Sequence, residues 1–478
     1  MEYDLTLNIS RITFHASRFT HHASRITFHV SRFTLLIVLL GCVIGCSGKD
    51  EPLRQSEALI QSGMHPEAIN LLEKIIAVDD RNPKARFLLG QAYEGLGSYD
   101  QAIHHYKTAI NLYAAHPEDK ATVRFALAKV YLKQGIRDSG YHELRAIVRS
   151  TSDNAVLQQV AGLITDAYQV EQLTSGKDDN YSPRFSADGS RIAFASYRLD
   201  NGELFIMDIN GRVRQRVTYT TDFDEGESAF LHDPHYLIYS REPQTSRQVK
   251  ILLQSSGSSP IYAGFYTTHI HSKVTQEVMP VGFGVRSLGI SPDRQHVAYE
   301  SVRDGTLELY ILDLRGVDLG AIDPQTIPSQ QITHNEVDDG SPVFFPDGQR
   351  IAFVSPRAAD PQNEQSERHQ IYSINIDGSD EKHLNPNPHD CYSPVISSDG
   401  KTIAFVSMRD GDIEIYLMDA DGSNERRLTN GIGASMQPAF SPDGRLLAFV
   451  SDRSDTFQIY LMHLDRPLTK RDLLLHLE

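Results

Sequence analysis

The chain contains 478 residues, more than one ordinary domain needs, and it has the composition of a folded protein, with 40% apolar and 23% charged residues. These fractions exclude a wholly disordered chain and a membrane protein with many spanning segments. The 62 acidic residues outnumber the 46 Lys and Arg, and because phosphate binding needs clustered cations, we expect no nucleic-acid partner. Three cysteines are too few for a disulfide framework or a cysteine-rich zinc site.

An apolar run near the start of the chain predicts a secretory signal. Residues 35–44 read LLIVLLGCVI, which is too short to cross a bilayer as a helix. The run ends in Val-Ile-Gly-Cys at 43–46, which resembles the lipobox of bacterial lipoproteins, a family in which the cysteine is acylated and becomes the new N-terminus. The resemblance implies lipidation of Cys46. Leu-Leu-Gly-Cys at 39–42 is a weaker match, because cleavage there would cut into the apolar run. The alternative is a buried cysteine in an ordinary signal.

The leader, residues 1–46, also bears on location. Ser47 rather than Asp follows Cys46, and in enterobacterial lipoproteins this implies transfer to the outer membrane. We therefore expect a lipid anchor in the cell envelope facing the periplasm, with the outer membrane favoured over the inner one. Residues 1–29 carry Ser-Arg pairs every seven residues and are too long for a signal n-region. They are either a mis-assigned start or low-complexity sequence.

Residues 47–168 predict a solenoid of three helical repeats followed by a capping helix at Asn154–Tyr168. Small and apolar residues recur after 34 positions, with Ala68, Leu72 and Ile75 repeated as Ala102, Tyr106 and Ala109. The second copy resembles the tetratricopeptide repeat (TPR), in which small residues let two helices approach closely and aromatic residues fill the gap to the next hairpin.

By position, the first helices of these hairpins form a concave groove. Its predicted residues are Lys84, Phe87, Gln91, Phe125, Lys129 and Lys133. Basic and aromatic groups in a groove suit an acidic or C-terminal peptide. The alternative is a solvated helix face that binds nothing.

Residues 169–464 contain a second repeat with strand chemistry. Four stretches, at 182–196, 341–355, 393–407 and 437–451, follow a pattern close to SPxFSPDGxxIAFVS, and degenerate copies stand at 228–240 and 287–301. Asp-Gly and Asn-Gly between apolar runs are strong hairpin signals, so each copy predicts a four-stranded antiparallel meander. Strands that are apolar on both faces must be covered by neighbours, which favours six sheets around an axis over a linear array.

This pattern, followed by Arg, IYxMDxDG and LT, resembles the repeat of the TolB-type β-propeller. The resemblance implies six blades, a central channel and a role in binding other envelope proteins. TolB proteins carry a small α/β domain ahead of the propeller, where this chain has TPRs. The fold class is thus multidomain, a helical solenoid followed by an all-β propeller, with residues 465–478 as a C-terminal tail.

The links that lead into the innermost strands are acidic. We expect Asp179, Glu225, Asp339 and Asp390 to ring the channel mouth on the face that bears the insertions at 241–264 and 358–369. A ring of carboxylates favours a cation or a basic segment of a protein partner. The alternative is that these acids cap backbone turns or only make the rim soluble.

An arginine recurs two residues after the second strand of most copies. Arg198, Arg303, Arg357, Arg409 and Arg453 occupy equivalent places. A ligand site would need only one arginine, so the repetition predicts a structural ion pair, with the turn aspartate as a candidate partner.

The chain contains none of the common hydrolase, zincin or P-loop motifs. We therefore expect a binding protein with no catalytic residue, metal or cofactor, and no prediction follows for its oligomeric state. The alternative is a propeller enzyme acting on a sugar or peptide, since some propellers that resemble this one are sugar lyases with a channel metal held by histidines. Convergence of three histidines at the channel would favour that alternative.

The ring should close with strands from both ends of the domain. Residues 171–174 resemble an outermost strand with no blade before it, while the sixth copy supplies only three strands. We predict that 171–174 pair antiparallel with 458–463. In the competing arrangement, residues 472–477 form the sixth blade's outer strand.

Overall fold

The structure is a computed structural model that describes residues 51–478 except 114–115, 199–200, 213, 245–262, 282–283, 304, 361–362 and 432. The leader and Cys46 lie outside these residues. The chain divides into two compact units, one ending at Thr151 and one beginning at Ser152. In the described ranges, no helix has the length and apolar character of a membrane-spanning segment.

The first unit consists of helical hairpins. Its helices are α1 (Glu51–Gln61), α2 (His65–Val78), α3 (Pro83–Gly95), α4 (Tyr99–Leu112), α5 (Pro117–Lys133) and α6 (Arg137–Ser150). The Asn82 side chain caps α3 by accepting the Ala85 N–H, and Pro83 occupies the first turn, where no N–H is needed.

Close packing within the second hairpin depends on Gly90. A Cβ atom there would lie 2.3 Å from the Tyr106 ring, so only glycine lets the two helices approach this closely. Tyr106 is fully buried, and its hydroxyl donates to Glu94 Oε2 at 2.6 Å. Tyr106 also belongs to one buried cluster with Val123 and Leu127 of the next hairpin, so the small and the aromatic residue play the roles that the repeat pattern assigned to them.

Helix α7 (Asn154–Ile164) belongs to the second unit. The backbone carbonyl of Gly162 accepts from the Asn430 side chain at 3.3 Å, and the Ala167 N–H donates to the Leu428 carbonyl at 3.1 Å. The boundary between compact units therefore lies before this helix and not after it, because its described hydrogen bonds join the fifth sheet of the propeller.

The second unit contains six four-stranded antiparallel sheets, as predicted. Blade one contains β2 (Asn180–Phe185), β3 (Arg191–Ser196), β4 (Glu203–Asp208) and β5 (Arg214–Arg216). Blade two contains β6 (Phe223–Phe230), β7 (Tyr236–Pro243), β8 (Gly264–His269) and β9 (Thr275–Met279). Blade three contains β10 (Val285–Ile290), β11 (His296–Ser301), β12 (Glu308–Asp313) and β13 (Ser329–Gln331).

The remaining blades follow the same order, with the first strand innermost. Blade four contains β14 (Gly340–Phe344), β15 (Arg350–Asp360), β16 (Asn363–Asn375) and β17 (Lys382–His383). Blade five contains β18 (Tyr392–Ile396), β19 (Thr402–Ser407), β20 (Glu414–Asp419) and β21 (Arg426–Arg427). Blade six contains β22 (Ser435–Phe440), β23 (Leu446–Ser451), β24 (Gln458–Pro467) and β1 (Tyr168–Gln172), and helix α8 (Lys470–Leu477) follows.

The pairing of β1 with β24 confirms the predicted closure. Glu171 lies opposite Leu461 in an antiparallel register, and the Leu173 N–H donates to the Ile459 carbonyl at 2.8 Å. The strand begins at Tyr168, three residues earlier than expected. The competing arrangement is wrong, because residues 472–477 are helical and are capped by Thr469.

Every innermost strand has an irregular register near its middle. In five blades the residue at this bulge has a positive φ although it is not glycine: Ser182, Ser287, Ser341, Ser393 and Gln437. Bulges bend a strand and re-aim its side chains. Of these residues, Ser287, Ser341, Ser393 and Gln437 form part of the wall of the central channel.

Candidate functional site

We use the term loop face for the end of the propeller where strand two joins strand three and each blade joins the next. Tight-turn face means the opposite end. Asp179 and Asp390 occupy one repeated position on the loop face, together with Asp224 and Asp338. Each carboxylate accepts a backbone N–H from the preceding blade, with donors Phe457 to Asp179 (3.1 Å), Gly202 to Asp224 (2.7 Å), Leu307 to Asp338 (3.1 Å) and His369 to Asp390 (2.8 Å). These aspartates therefore join neighbouring blades.

Glu225 and Asp339 occupy the next position along the chain, and both side chains are fully buried. Arg241 Nε lies 3.1 Å from Glu225, and Arg357 Nη2 lies 2.8 Å from Asp339. Successive residues of an extended chain point to opposite sides. Side chains at the position of Glu225 and Asp339 therefore point away from the side on which Asp179 and Asp390 lie in their own blades. Glu225 and Asp339 offer no carboxylate surface to a partner.

Burial of these acids has an electrostatic consequence. Desolvation, with the nearby charge of Glu203, raises the pKa of Glu225 to about 7. Burial also raises the pKa of Asp339 above its ordinary value, although Arg357 favours the ionised form. Blades three and six have no acid at either position. Of the four predicted acids, Asp179 and Asp390 keep part of their surface, and the Asp390 side chain is 46% exposed.

In blades four, five and six the recurring arginines make the structural ion pairs that their repetition predicted, while Arg198 lies 3.9 Å from Asp178 in an exposed pair. Arg357 contacts Asp339 and Glu381, Arg409 contacts Glu425, and Arg453 contacts Asp166. The same guanidinium groups lie over two aromatic rings of their own blade, as Arg409 does over Phe405 and Tyr416. The turn aspartate is not their partner. Asp443, for example, accepts from Ser441 and from the Arg445 N–H within its own turn.

A further set of acids is fully buried, and the sequence analysis did not identify it. Glu203, Glu308 and Glu414 begin the third strand of their blades and are at most 2% exposed. Each accepts a threonine hydroxyl from the fourth strand's end, as Glu203 does from Thr218 at 2.6 Å. The signal was present in the sequence, because Glu or Gln stands before an apolar-aromatic pair in five blades, at 203, 308, 370, 414 and 458. Nothing local identifies its threonine partner.

The centre of the propeller holds a cavity of about 440 Å³ lined by the innermost strands. Arg184 and Glu227 face each other across this wall at 3.8 Å. Behind the wall, the carboxylate of Glu300 accepts the Ser341 N–H at 2.7 Å, and burial raises the pKa of Glu300 to about 7. The channel is therefore polar and carries both signs of charge.

The histidines do not meet at the channel. His235, His269 and His271 lie close together on the tight-turn face of blade two, with ring centroids 5.5–6.0 Å apart. None of the residues that line the described cavity is histidine. Among the described residues, no group of three His, Cys, Asp or Glu side chains is arranged to hold a metal ion.

The predicted TPR residues lie on α3 and α5. On α3, Lys84 makes an ion pair with Glu57 at 2.8 Å, Phe87 packs 5.8 Å from the Tyr106 ring, and Gln91 is half-buried. On α5, Phe125 is half-buried and Lys129 is exposed, while Lys133 lies 5.5 Å from the centre of the Tyr99 ring. Within each helix the three residues share one face, because their spacings follow the helical repeat.

Comparison with known proteins agrees with both architectures. Residues 363–471 match the TolB beta propeller domain, and residues 59–118 match the tetratricopeptide repeat. An uncharacterized protein of Agrobacterium fabrum is 30% identical over 125 residues, which cover 26% of this chain and 36% of that protein. The chain thus spans little more than a third of the length of that relative.

Solved structures with similar folds include TolB from Acinetobacter baumannii, at 17% identity and a TM-score of 0.44, covering 56% of this chain and 59% of that one. An oligogalacturonate lyase from Vibrio parahaemolyticus is similar at 13% identity and a TM-score of 0.42, covering 63% of this chain and 95% of that one. From the two family matches and the observed sheets, the chain combines tetratricopeptide repeats with a TolB-like six-bladed propeller, two kinds of repeat that generally mediate protein interactions.

Proposed function

We propose that this protein is a lipid-anchored scaffold of the cell envelope that binds other proteins through the TPR groove and through the loop face of the propeller. The observation that carries the proposal is the presence of two interaction repeats in one chain, each matched by its own family. The lipobox at Cys46 supports the anchor and the envelope location. A triacylated cysteine supplies the several chains that stable anchoring requires. In this proposal the protein is not an enzyme.

The shape of the loop face supports a binding role. In blade four, strands β15 and β16 extend well beyond the length of their counterparts, to Asp360 and from Asn363. The Asp390 carboxylate, the His369 ring and Tyr392 lie together nearby, and the Tyr392 hydroxyl is 3.4 Å from His369 Nδ1. Partly exposed polar and aromatic groups beside a projecting hairpin are typical of a protein-binding surface.

The TPR groove supplies a second surface of opposite charge. Lys129 and Lys133 are exposed on one face of α5, and the half-buried Phe125 follows the same face. A basic and aromatic face suits an acidic segment of a partner. The two surfaces therefore differ in the chemistry of the partners that they favour.

The anchor is tested by mass spectrometry of the protein purified from membranes. We expect an acylated Cys46 as the N-terminal residue, and Cys46→Ser should release the protein from the membrane. An intact chain with an unmodified Cys46 would remove this part of the proposal.

The binding surfaces are tested by crosslinking and pull-down with the mature chain. We expect D179K/D390K to lower capture of loop-face partners about tenfold at low salt, and K129E/K133E to do the same for groove partners. D318K/D323K on the tight-turn face changes the net charge by the same amount as D179K/D390K. It serves as the control for that variant, since both residues are exposed. Equal capture by all variants would show that neither surface binds.

A further inference from the structure

Two of the six tight turns between the first and second strands depart from the Asp-Gly pattern, and the one in blade three carries an arginine. The second turn residue is glycine in four blades and proline in blade two, but it is Arg294 in blade three. Arg294 has φ +58, a left-handed conformation that glycine adopts freely and that is strained for a residue with a Cβ. Glycine would avoid this backbone strain, so the presence of arginine indicates that its side chain has a role at this position.

The Arg294 side chain crosses the tight-turn end of the central channel. Its Nη1 donates to the Phe230 carbonyl at 2.9 Å, and its Nη2 lies 3.5 Å from the Phe185 carbonyl. These carbonyls end the innermost strands of blades two and one, so a residue of blade three reaches two other blades. Arg294 is also part of the lining of the 440 Å³ cavity.

The charge of Arg294 is poorly balanced. Among the residues that the structure describes, no carboxylate lies within ion-pair distance of it, and Asp188 acts on it only at longer range. Burial lowers the pKa of Arg294. A half-buried cation without a contacting anion is costly, and a guanidinium group has five N–H donors, more than the two carbonyls use.

We propose that the central cavity binds a carboxylate group, with Arg294 as its anchor at the tight-turn end. A planar guanidinium pairs with a carboxylate through two parallel hydrogen bonds. Glu227 in the same wall opposes a doubly charged phosphate more than a singly charged carboxylate. The cavity volume lies within the range of small-molecule sites, and Ser341 and Ser393 place hydroxyl groups on its wall. This site is independent of the loop-face partner proposed above.

The test is a titration of the full mature chain by isothermal calorimetry. The probes are N-acetylglycine, its uncharged amide, acetyl-tetraglycine with a free C-terminus, and inorganic phosphate. We expect both acids to bind and the amide to bind at least about tenfold more weakly. Tighter binding of N-acetylglycine would identify a small-molecule site, and tighter binding of the peptide would identify a site for a chain terminus.

R294G should lower carboxylate affinity about tenfold or more and should fold, because four blades already have glycine there. R294Q removes the charge while keeping a side chain at this turn, and it should lose binding as well. R350A is the matched control, since Arg350 is a turn arginine in blade four that lies outside the cavity and pairs with Asp347. Unchanged affinity in R294G and R294Q, preference for phosphate, or no binding of either acid to the wild type would overturn the proposal.

Discussion

Acidic residues at the two ends of the propeller behave in opposite ways. On the tight-turn face, Asp188 accepts from Ser186 and Ser190 within its own turn, and these hydrogen bonds lower its pKa to about 2. On the loop face, burial raises the pKa of Glu225 to about 7. Acids of the first kind are stabilised by neighbours in sequence. Acids of the second kind are held by residues that only the folded blades bring near, so the ends should respond differently to mutation and to pH.

The largest effect is expected at the buried Glu414. Its carboxylate accepts from Thr429 and from Arg427 Nη2 at 2.7 Å, and its side chain is fully buried. Glu414→Ala leaves both donors without an acceptor and should lower the free energy of unfolding by about 3–5 kcal/mol, measured by chemical denaturation. Glu414→Gln is the control, because Gln370 and Gln458 occupy the equivalent position. Equal losses in both variants would contradict this account.

A pH-dependent effect of intermediate size is expected at Glu300. Burial raises its pKa to about 7, so the native state holds a proton that the unfolded chain releases at lower pH. Ionisation of Glu300 therefore lowers the free energy of unfolding as the pH rises from the ordinary pKa of a glutamate to about 7. Glu300→Gln should be more stable than the wild type by about 2 kcal/mol at pH 8, and the difference should shrink towards pH 5.

Thermal unfolding of E300Q and wild type across this range checks the prediction. The Gln side chain can still accept the Ser341 N–H, which keeps the comparison to charge alone. A difference that is independent of pH would show that the pKa of Glu300 is not raised in the native state, and it would contradict the prediction.

The smallest effect is expected in the tight turns. Asp443 accepts from Ser441 and from the Arg445 N–H, and the Ser441 hydrogen bond lowers its pKa. Asp443→Ala should cost about 1 kcal/mol at pH 7, measured by chemical denaturation. The cost of Asp443→Ala should disappear as the pH falls through the native pKa of Asp443, because the protonated carboxyl loses the stabilisation that these hydrogen bonds give to the ionised form. Asp443→Asn, which keeps an acceptor, should cost less at pH 7, and a larger loss in Asn than in Ala would contradict the turn assignment.

The same division explains what could be predicted from the sequence. Turns such as Asp443-Gly444 and the repeat of the strands depend on nearby residues, so six blades and their closure were predictable. The burial of Asp339 depends on Arg357, on Asn335 and on the packing of its link, and no local pattern shows which of two adjacent acids points inward. Arg294 was visible as a missing glycine. Its path across the channel depends on the arrangement of three blades around a common axis, which no local pattern specifies.

The pairing of β1 with β24 sets the order in which this domain can be completed. The chain emerges from the ribosome with β1 first, yet the partner strand near Leu461 is made almost three hundred residues later. Contacts between distant residues form slowly, because the intervening chain must first be ordered. Five blades can assemble while synthesis continues, but the edge of β1 and the flank of blade one stay uncovered until the last strand arrives. The topology therefore includes an interval in which the edge of β1 is exposed to aggregation, and a permuted chain that begins at blade one and carries β1 after β24 would shorten it.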